Sequence, residues 1–306
     1  MKKIYIPPLL LALRPTQWLK NLILFAALTF SGRLLDWELF VTVLAGFIVF
    51  CLLSSASYLI NDIKDLPYDS KHPVKRKRPI ASGRVSRGGA IAAVIILMAG
   101  GFFSAYHLSF SFLLISALFF FLHVAYTFFL KEIAIFDILM IAFSFSLRGF
   151  AGEVLSGLHI PIWLMLTIIF LSLFIASAKR HSELLRTGSQ TRPSLLSYRE
   201  RLLDFYATTF ATSTLISYAL FVFFEEPPLF NLYTREFLHF VFPFALERKW
   251  LILTFPFVLL GIMRYAKIVY EKRGGEAPER LVTQDLPLLL TIVGWGIMVI
   301  TIIYLV

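Results

Sequence analysis

Three aspartates at helical spacing lie in the stretch from Asn61 to Gly83. Asp62, Asp65 and Asp69 occupy positions i, i+3 and i+7, and side chains at this spacing share one face of a helix. Carboxylate oxygens are the hard ligands that Mg²⁺ prefers. Six Lys or Arg residues in the same 23 residues can bind phosphate oxygens. The pattern predicts a site for a diphosphate group and Mg²⁺, and the alternative is an ordinary basic loop.

Pro67 separates the second aspartate from the third. Because proline cannot donate to the hydrogen bonds of a helix, we expect the helix to end near Leu66. Asp69 then has to reach the site from a loop. This makes Asp62 and Asp65 the principal predicted metal ligands.

A basic run between two prolines follows the aspartates. Its candidates for binding phosphate are Lys75, Arg76 and Arg78, and their spacing does not rank them. Upstream, Lys20 and Asn21 open an apolar run. Lys20 is either a membrane-interface anchor, as tryptophan and basic residues often are, or a further phosphate ligand.

Charged residues also occur inside or at the ends of later apolar runs. Arg148 lies well within one, where a charge is costly and normally faces a partner or a wet cavity. It is therefore either structural or substrate-binding. Lys179 and Glu183 are four residues apart at the end of another run, which indicates a charged helix end or a second part of the site. His181 between them has no second histidine at ligand spacing, so the sequence does not support zinc.

The composition sets the class of protein that must position these residues. Of the 306 residues, 58% are hydrophobic and only 16% are charged, and the mean hydropathy is +0.78. A soluble domain has roughly 25% charged residues. We therefore predict an all-α polytopic membrane protein with a single transmembrane domain over residues 1–306. Its one cysteine, Cys51, excludes an internal disulfide.

Nine apolar stretches approach the length of about 20 residues that a membrane span needs. With the N-terminus in the cytoplasm, 24 of the 29 Lys and Arg residues lie in cytoplasmic segments and 4 lie outside, as the positive-inside rule requires. This placement attributes the net charge of +10 to topology and an anionic substrate and not to nucleic acid. The predicted spans are 19–35, 38–62, 88–107, 110–130, 136–157, 161–179, 203–224, 250–270 and 286–306.

Six motifs, spread over nearly the whole chain, together resemble the UbiA superfamily of intramembrane prenyltransferases. Within it, the chain is most similar to the branch of decaprenyl-phosphate phosphoribosyltransferases. The motifs are R-P-x-Q-W-x-K-N (Arg14–Asn21), N-D-x-x-D with H-P-x-K-R-x-R-P-I-A-x-G (Asn61–Gly83), Y-[ST]-x-x-L-K (Tyr126–Lys131), L-R-x-x-A-G (Leu147–Gly152), K-R-x-x-E-L (Lys179–Leu184), and G-G-x-x-P-E leading to D-x-P-L-L-L (Gly274–Leu290).

The resemblance implies a nine-helix bundle with a cytoplasm-facing active-site cavity in a bacterial plasma membrane. It implies Mg²⁺-dependent transfer of 5-phosphoribosyl from phosphoribosyl pyrophosphate to a polyprenyl phosphate, in the synthesis of an arabinose donor for the cell envelope. Family members that use prenyl diphosphates usually have a second D-x-x-x-D motif after the sixth span. This chain has Lys179–Glu183 there, and a mixed-charge site suits a donor with an additional phosphate.

The resemblance also gives each candidate residue a role. The implied metal ligands are Asn61, Asp62, Asp65 and Asp69. The implied catalytic residues are Asp62, Asp65, Lys179 and Glu183. The implied substrate-binding residues are Lys20, Asn21, Lys75, Arg76, Arg78, Tyr126, Lys131, Arg148 and Arg180.

Two other functions use the same features. One is transfer of a prenyl group from a prenyl diphosphate to an aromatic or other small acceptor, which needs the same aspartate-rich site. The other is transport or flipping of an anionic lipid, which the odd number of spans and the lack of an internal repeat disfavour. The sequence leaves the oligomeric state open, with a homo-oligomer among the options.

Overall fold

A computed structural model describes residues 7–71, 75–187, 197–225, 248–272 and 284–305, together with residues 236, 240, 244, 281 and 282. Every regular element in these residues is helical. The basic residues and turns predicted in 72–74 and 273–280, and most of the outer loop between 226 and 247, lie outside the described residues.

Eight helical segments among the described residues are long and apolar enough to cross a membrane. In chain order the α-helices are α1 (Pro8–Ala12), α2 (Ala26–Phe30), α3 (Trp37–Lys64), α4 (Leu66–Asp69), α5 (Arg87–Leu108), α6 (Phe110–Phe128), α7 (Phe136–Ser156), α8 (Ile162–Thr187), α9 (Glu200–Phe224), α10 (Phe255–Lys272) and α11 (Leu286–Ile300). A 3₁₀ turn, Trp250–Thr254, precedes α10, and a π-helical turn, Thr301–Leu305, follows α11. The prediction of an all-α polytopic membrane protein is confirmed.

The segment predicted to be the first span differs from the other eight. Residues 15–30 form a 3₁₀ segment, Pro15–Phe25, followed by the five-residue helix α2. Pro15 stands at its first position, where its missing N–H costs nothing, so the sequence explains where this helical segment starts. The count of nine spans stays a prediction, since this broken segment is not among the eight.

The chain divides into two compact units. The first contains Met1–Leu28, Arg33–Met140 and Leu147–Leu158, and the second contains Thr29–Gly32, Ile141–Ser146 and His159–Val306. The prediction of one transmembrane domain stays a prediction.

Three helices of the first unit, α3, α5 and α6, begin at side-chain caps. Asp36 caps α3 by accepting a hydrogen bond from the backbone N–H of Leu39, and Ser86 and Ser109 cap α5 and α6 in the same way. A 2.5 Å hydrogen bond from Arg33, which lies before the span, holds the pKa of the Asp36 carboxyl below its ordinary value of 3.8. The Asp36 cap fixes the start of α3, which carries the aspartates at its other end.

Aromatic and aliphatic side chains form the core of the first unit around α3. Phe50 is fully buried, and its ring lies 4.6 Å from that of Phe119 and 5.8 Å from that of Phe112 on α6, measured between centroids. Such pairs contribute about 0.5–1.5 kcal/mol beyond the apolar area that they bury. The packing therefore places the end of α6 beside the end of α3.

Polar contacts join the helices of the second unit inside its apolar core. Thr167 on α8 donates to Ser217 on α9 at 3.0 Å. Tyr218 lies 2.6 Å from Thr254 Oγ1 and accepts a 2.8 Å hydrogen bond from Trp295 on α11. A membrane offers no water to these groups, so they bond to one another.

Candidate active site

Asp62 lies in the last turn of α3 and is 3% exposed. Its Oδ1 accepts hydrogen bonds from Arg14 at 2.5 Å and from Arg78 at 3.1 Å. A buried carboxylate needs such partners because desolvation of an unpaired charge is costly. Both guanidinium contacts are to Oδ1, so Asp62 Oδ2 receives neither of them.

Asp69 joins the same cluster through Arg78. Arg78 Nη1 donates to Asp69 Oδ2 at 2.5 Å, and Asp69 is also 3% exposed. The expected helix end is confirmed, since α3 stops at Lys64, but Asp69 does not lie in a loop. It is the last residue of the short helix α4, and Pro67 lies in the first turn of this new helix, where no N–H is needed.

Asp65 caps the end of α3 between these two aspartates. Lys131 donates to its Oδ1 at 2.7 Å, and Asn61 donates to its Oδ2 at 3.1 Å. Lys131 belongs to a 3₁₀ turn, Leu130–Glu132, that follows α6. The structure thus brings Lys131, a predicted substrate-binding residue, against a predicted metal ligand.

Arg14 is a site residue that the sequence-based assignment missed. It has a left-handed backbone conformation, with φ of 55°, which is uncommon outside glycine. Its guanidinium stacks 5.1 Å from the centroid of the Tyr58 ring while it binds Asp62. Its place at the start of the motif Arg14–Asn21 was the signal that the sequence offered.

The other members of the basic run are less enclosed. Lys75, Arg76 and Lys77 form one 3₁₀ turn, in which Lys75 is half-buried and Arg76 is exposed. Arg84 donates to the backbone carbonyl of Lys77 at 2.7 Å. Of the three candidates Lys75, Arg76 and Arg78, only Arg78 has a hydrogen bond to an aspartate of the motif among the described contacts.

Arg148 and Asn21 form a separate buried pair in the first unit. Arg148 Nε donates to Asn21 Oδ1 at 2.7 Å, and Asn21 donates to the Cys51 sulfur at 3.3 Å. The guanidinium of Arg148, which is 2% exposed, also lies 4.6 Å from the centroid of the Phe119 ring. These contacts favour the structural reading of both residues. Their assignment as substrate-binding residues stays a prediction.

Two further candidates of the first unit, Lys20 and Tyr126, are both half-buried. Trp18, close to Lys20, donates to Ser55 on α3 at 3.0 Å, and Ser55 donates in turn to the carbonyl of Leu13. This tryptophan therefore joins the N-terminal segment to α3. An interface anchor alone would not require that contact.

Lys179, Arg180 and Glu183 lie near the end of α8 in the second unit. Arg180 is 1% exposed, and its Nη1 donates to Glu183 Oε2 at 2.5 Å. This ion pair joins two residues that are three positions apart on the helix. Their catalytic and substrate-binding roles stay predictions.

An apolar cavity of about 450 Å³ lies beside α3 in the first unit. Its lining includes Ile60 and Lys64, which lie nearly opposite Asp62 on α3, together with Pro67 of α4. No aspartate lines it. Lys64 is held there by hydrogen bonds to the carbonyls of Thr127 and Phe128, both 2.9 Å long. The cavity and the aspartate cluster therefore involve different faces of α3.

In the ion pairs of the described residues, the charges of the aspartate cluster balance. Three carboxylates, Asp62, Asp65 and Asp69, are paired with Arg14, Arg78 and Lys131. The oxygens suit Mg²⁺, which binds through one or two carboxylates and completes its shell with phosphate oxygens and water. Adding a divalent cation to a balanced cluster leaves a surplus of positive charge, so this donor set fits a metal that arrives together with an anionic group.

The described helices define an all-α polytopic membrane protein. Residues 22–289 match the UbiA prenyltransferase family, and the chain belongs to this family of membrane transferases. The resemblance inferred from the six motifs is thereby confirmed.

The chain is similar to two curated members of the family and to one solved structure. It is 33% identical over 294 residues to the decaprenyl-phosphate phosphoribosyltransferase of Mycolicibacterium smegmatis, covering 94% of this chain and 89% of the relative. It is 31% identical over 291 residues to the enzyme of the same name in Mycobacterium tuberculosis, covering 93% of this chain and 90% of the relative. The structure of a UbiA homolog from Archaeoglobus fulgidus bound to GPP and Mg²⁺ matches with a TM-score of 0.66 at 18% identity. The match covers 96% of this chain and 99% of the homolog. At that identity the likeness concerns the fold.

Proposed function

We propose that this chain transfers 5-phosphoribosyl from phosphoribosyl pyrophosphate to a polyprenyl phosphate in the membrane and releases pyrophosphate. The observation that carries the proposal is the balanced cluster of three aspartates and three cations in the first unit. The relatives named as decaprenyl-phosphate phosphoribosyltransferases, matched over about nine-tenths of their length, support the choice of substrates. Membership in a family of transferases favours this function over the lipid transporter.

The reaction is a substitution at C1 of the ribose. A phosphate oxygen of the acceptor forms a bond to C1 as the bond between C1 and the pyrophosphate oxygen breaks, and pyrophosphate leaves with that electron pair. Glycosyl transfer of this kind passes through an oxocarbenium-like state, so holding the two reactants in line is a large part of catalysis. The acceptor phosphate is ionised near neutral pH and needs no strong general base.

Asp62, Asp65 and Asp69, with Asn61, would hold Mg²⁺. When bound, Mg²⁺ neutralises charge on the pyrophosphate as it leaves. Arg14, Arg78 and Lys131 already lie within hydrogen-bond distance of these carboxylates. In the proposal, some of their N–H groups shift to phosphate oxygens when phosphoribosyl pyrophosphate enters. They can do so because a guanidinium has five N–H groups and an ammonium three.

The remaining predicted residues complete the proposal. Lys20, Lys75 and Arg76 would contact leaving-group or acceptor phosphate. Tyr126, Lys179, Arg180 and Glu183 would position the phosphoribosyl part. The reaction takes place on the cytoplasmic side, where the positive-inside rule also puts the N-terminus.

Prenyl transfer is the second candidate. It is favoured by the fold, which is shared with a UbiA homolog solved with GPP and Mg²⁺. The short sequence Lys179–Glu183, in place of a second aspartate motif, argues for the phosphoribosyl donor instead.

The test is a transfer assay with purified protein in lipid nanodiscs. One arm contains phosphoribosyl pyrophosphate and a polyprenyl phosphate, and the other a prenyl diphosphate and an aromatic acceptor, each with Mg²⁺ or with EDTA. We expect pyrophosphate release and a phosphoribosylated lipid, identified by mass spectrometry, in the first arm only and only with Mg²⁺. Product in the second arm alone would establish prenyl transfer and refute the proposal.

A further inference from the structure

A histidine and two carboxylates meet in the second unit, away from the aspartate-rich motif in sequence. His181 lies near the end of α8, and Glu200 and Asp204 lie in the first two turns of α9. His181 Nε2 is 3.1 Å from Asp204 Oδ1 and 3.8 Å from Glu200 Oε1. Three groups that commonly bind metal ions therefore converge, with one potential ligand atom from each lying within 4.8 Å of the others.

The buried atoms of this cluster lack hydrogen-bond partners. His181 is 2% exposed, and among the described residues neither of its ring nitrogens nor Asp204 Oδ1 has a hydrogen-bond partner. The 3.1 Å approach of Nε2 to Oδ1 is thus close but not aligned as a hydrogen bond. Buried polar atoms without partners cost free energy, and each such atom in a native structure calls for an explanation.

The two carboxylates also repel one another. Glu200 and Asp204 are four residues apart on α9, and like charges at this spacing destabilise a helix. The partial positive charge of the helix N-terminus offsets some of this repulsion. A cation between the carboxylates and the imidazole would remove the repulsion. It would also give the buried imidazole nitrogen a partner.

The separations from His181 are close to those between ligands of one tetrahedral ion. Bonds of about 2.0–2.2 Å from a metal to nitrogen and oxygen place neighbouring ligand atoms roughly 3.4 Å apart. The two distances from His181 Nε2 lie on either side of this value. The Glu200 side chain is 59% exposed and can rotate inward, whereas the Tyr270 ring, 4.8 Å from the imidazole between centroids, holds His181 in place.

We propose that His181, Glu200 and Asp204 bind a divalent transition-metal ion, with Zn²⁺ as the reference ion and water as the fourth ligand. The imidazole selects such an ion over Mg²⁺, which prefers ligands that are all oxygen. The bound ion ties the end of α8 to the start of α9. It thereby fixes the helix end that carries Lys179, Arg180 and Glu183, whether or not the proposed transfer reaction is correct.

Co²⁺ titration of tag-free full-length protein tests the site, because a cobalt ion bound to nitrogen and oxygen in tetrahedral geometry has a characteristic visible absorption. The titration is done in the Asp62→Asn/Asp65→Asn background, which removes the other proposed metal site. We expect one Co²⁺ per chain, displaced by Zn²⁺ and not by Mg²⁺. Asp204→Asn and Glu200→Gln should each weaken Co²⁺ binding at least tenfold, whereas Glu271→Gln, an exposed acid on α10, should leave it unchanged.

Thermal melting without metal checks that each variant is folded. If Asp204→Asn does not fold, Glu200→Gln, a change at an exposed position, still tests the site. An ordinary ion pair between protonated His181 and Asp204 predicts no tetrahedral Co²⁺ spectrum. That result, or Co²⁺ binding by both variants with the affinity of the background protein, would overturn the proposal. Metal binding is measured without substrates, so its failure is distinct from failure of the transfer reaction.

Discussion

Lys131 Nζ lies 2.7 Å from Asp65 Oδ1, although 66 residues separate the two in the chain. The contact exists because α6 packs on α3 and ends beside it, which brings the turn Leu130–Glu132 to the end of the aspartate-bearing helix. Two motifs that look independent in the sequence are therefore parts of one cluster. The lysine has two possible partners in the proposed reaction, the carboxylate before the donor binds and a phosphate afterwards.

A double-mutant cycle on this pair tests whether the two residues act together. We expect Asp65→Asn and Lys131→Met each to lower kcat/KM by about 10²-fold or more, because each removes part of the charge that the donor meets. The double variant should lose little more than the worse single variant, as is usual for residues that act as a unit. Losses that multiply in full would show that Lys131 and Asp65 act independently.

Removal of the metal should show that Mg²⁺ and the donor bind together. The cluster is balanced without Mg²⁺, so we expect Mg²⁺ alone to bind weakly and phosphoribosyl pyrophosphate to raise its affinity. Thermal melting over a grid of both concentrations measures this effect. By linkage the metal must raise the affinity for the donor by the same factor. Stabilisation by Mg²⁺ that does not depend on the donor would contradict the expectation.

The aspartates can also be ranked by substitution. Asp62→Asn and Asp65→Asn should each lower kcat/KM for transfer by about 10²-fold or more, and thermal melting with donor absent checks that each variant is folded. Asp69→Asn should also impair transfer, since Arg78 binds both Asp69 and Asp62. Asp36→Asn, at the other end of α3, is the matched control and should retain activity. Full activity of Asp69→Asn would limit the metal site to the first two aspartates.

Hydropathy and charge patterns were sufficient to predict most of the fold. Eight predicted spans agree with eight helical segments to within a few residues, except that α8 continues to Thr187, eight residues beyond the predicted end. The predicted span 19–35 fails as a single helix because its apolar run is short. The spacing of Asp62 and Asp65 likewise predicted that both lie at the end of one helix, because helical periodicity is a local property of the sequence.

Contacts between distant parts of the chain were not predictable in the same way. Arg14 was overlooked because its role comes from a partner, Asp62, that is 48 residues away. The meeting of His181 with Glu200 and Asp204 depends on how α8 packs on α9, which motif spacing does not encode. Spacing rules find ligands on one helix, and ligands shared by two helices need the tertiary structure.

Gly152 has a packing role that substitution can test. A Cβ atom at this position on α7 would lie 2.0 Å from the backbone carbonyl oxygen of Leu24, and backbone cannot move aside as a flexible side chain does. Gly152→Ala should therefore destabilise the protein by about 1–3 kcal/mol or more. Gly100→Ala on α5 meets nothing within 4 Å and should be neutral or slightly stabilising, because alanine favours a helix. Thermal melting of both in one detergent makes the comparison, and equal melting temperatures would argue against the close approach.

Cysteine labelling tests the topology and the number of spans together. In a Cys51→Ala background, single cysteines replace three exposed residues, Thr16, Leu35 and Ser82. If residues 19–35 cross the membrane, a membrane-impermeant maleimide should label Leu35→Cys in intact cells and should label Thr16→Cys and Ser82→Cys only after lysis.

The pair Thr16→Cys and Leu35→Cys decides between nine spans and eight. Thr16 is the second residue of the 3₁₀ segment and Leu35 lies beyond α2, so the two positions lie on opposite sides of the membrane only if the chain between them crosses it. Equal labelling of the two in intact cells would mean that the segment returns to the side from which it started. Labelling of Ser82→Cys in intact cells would place the aspartate cluster outside the cytoplasm, where phosphoribosyl pyrophosphate made inside the cell does not reach it, and would remove the proposed donor.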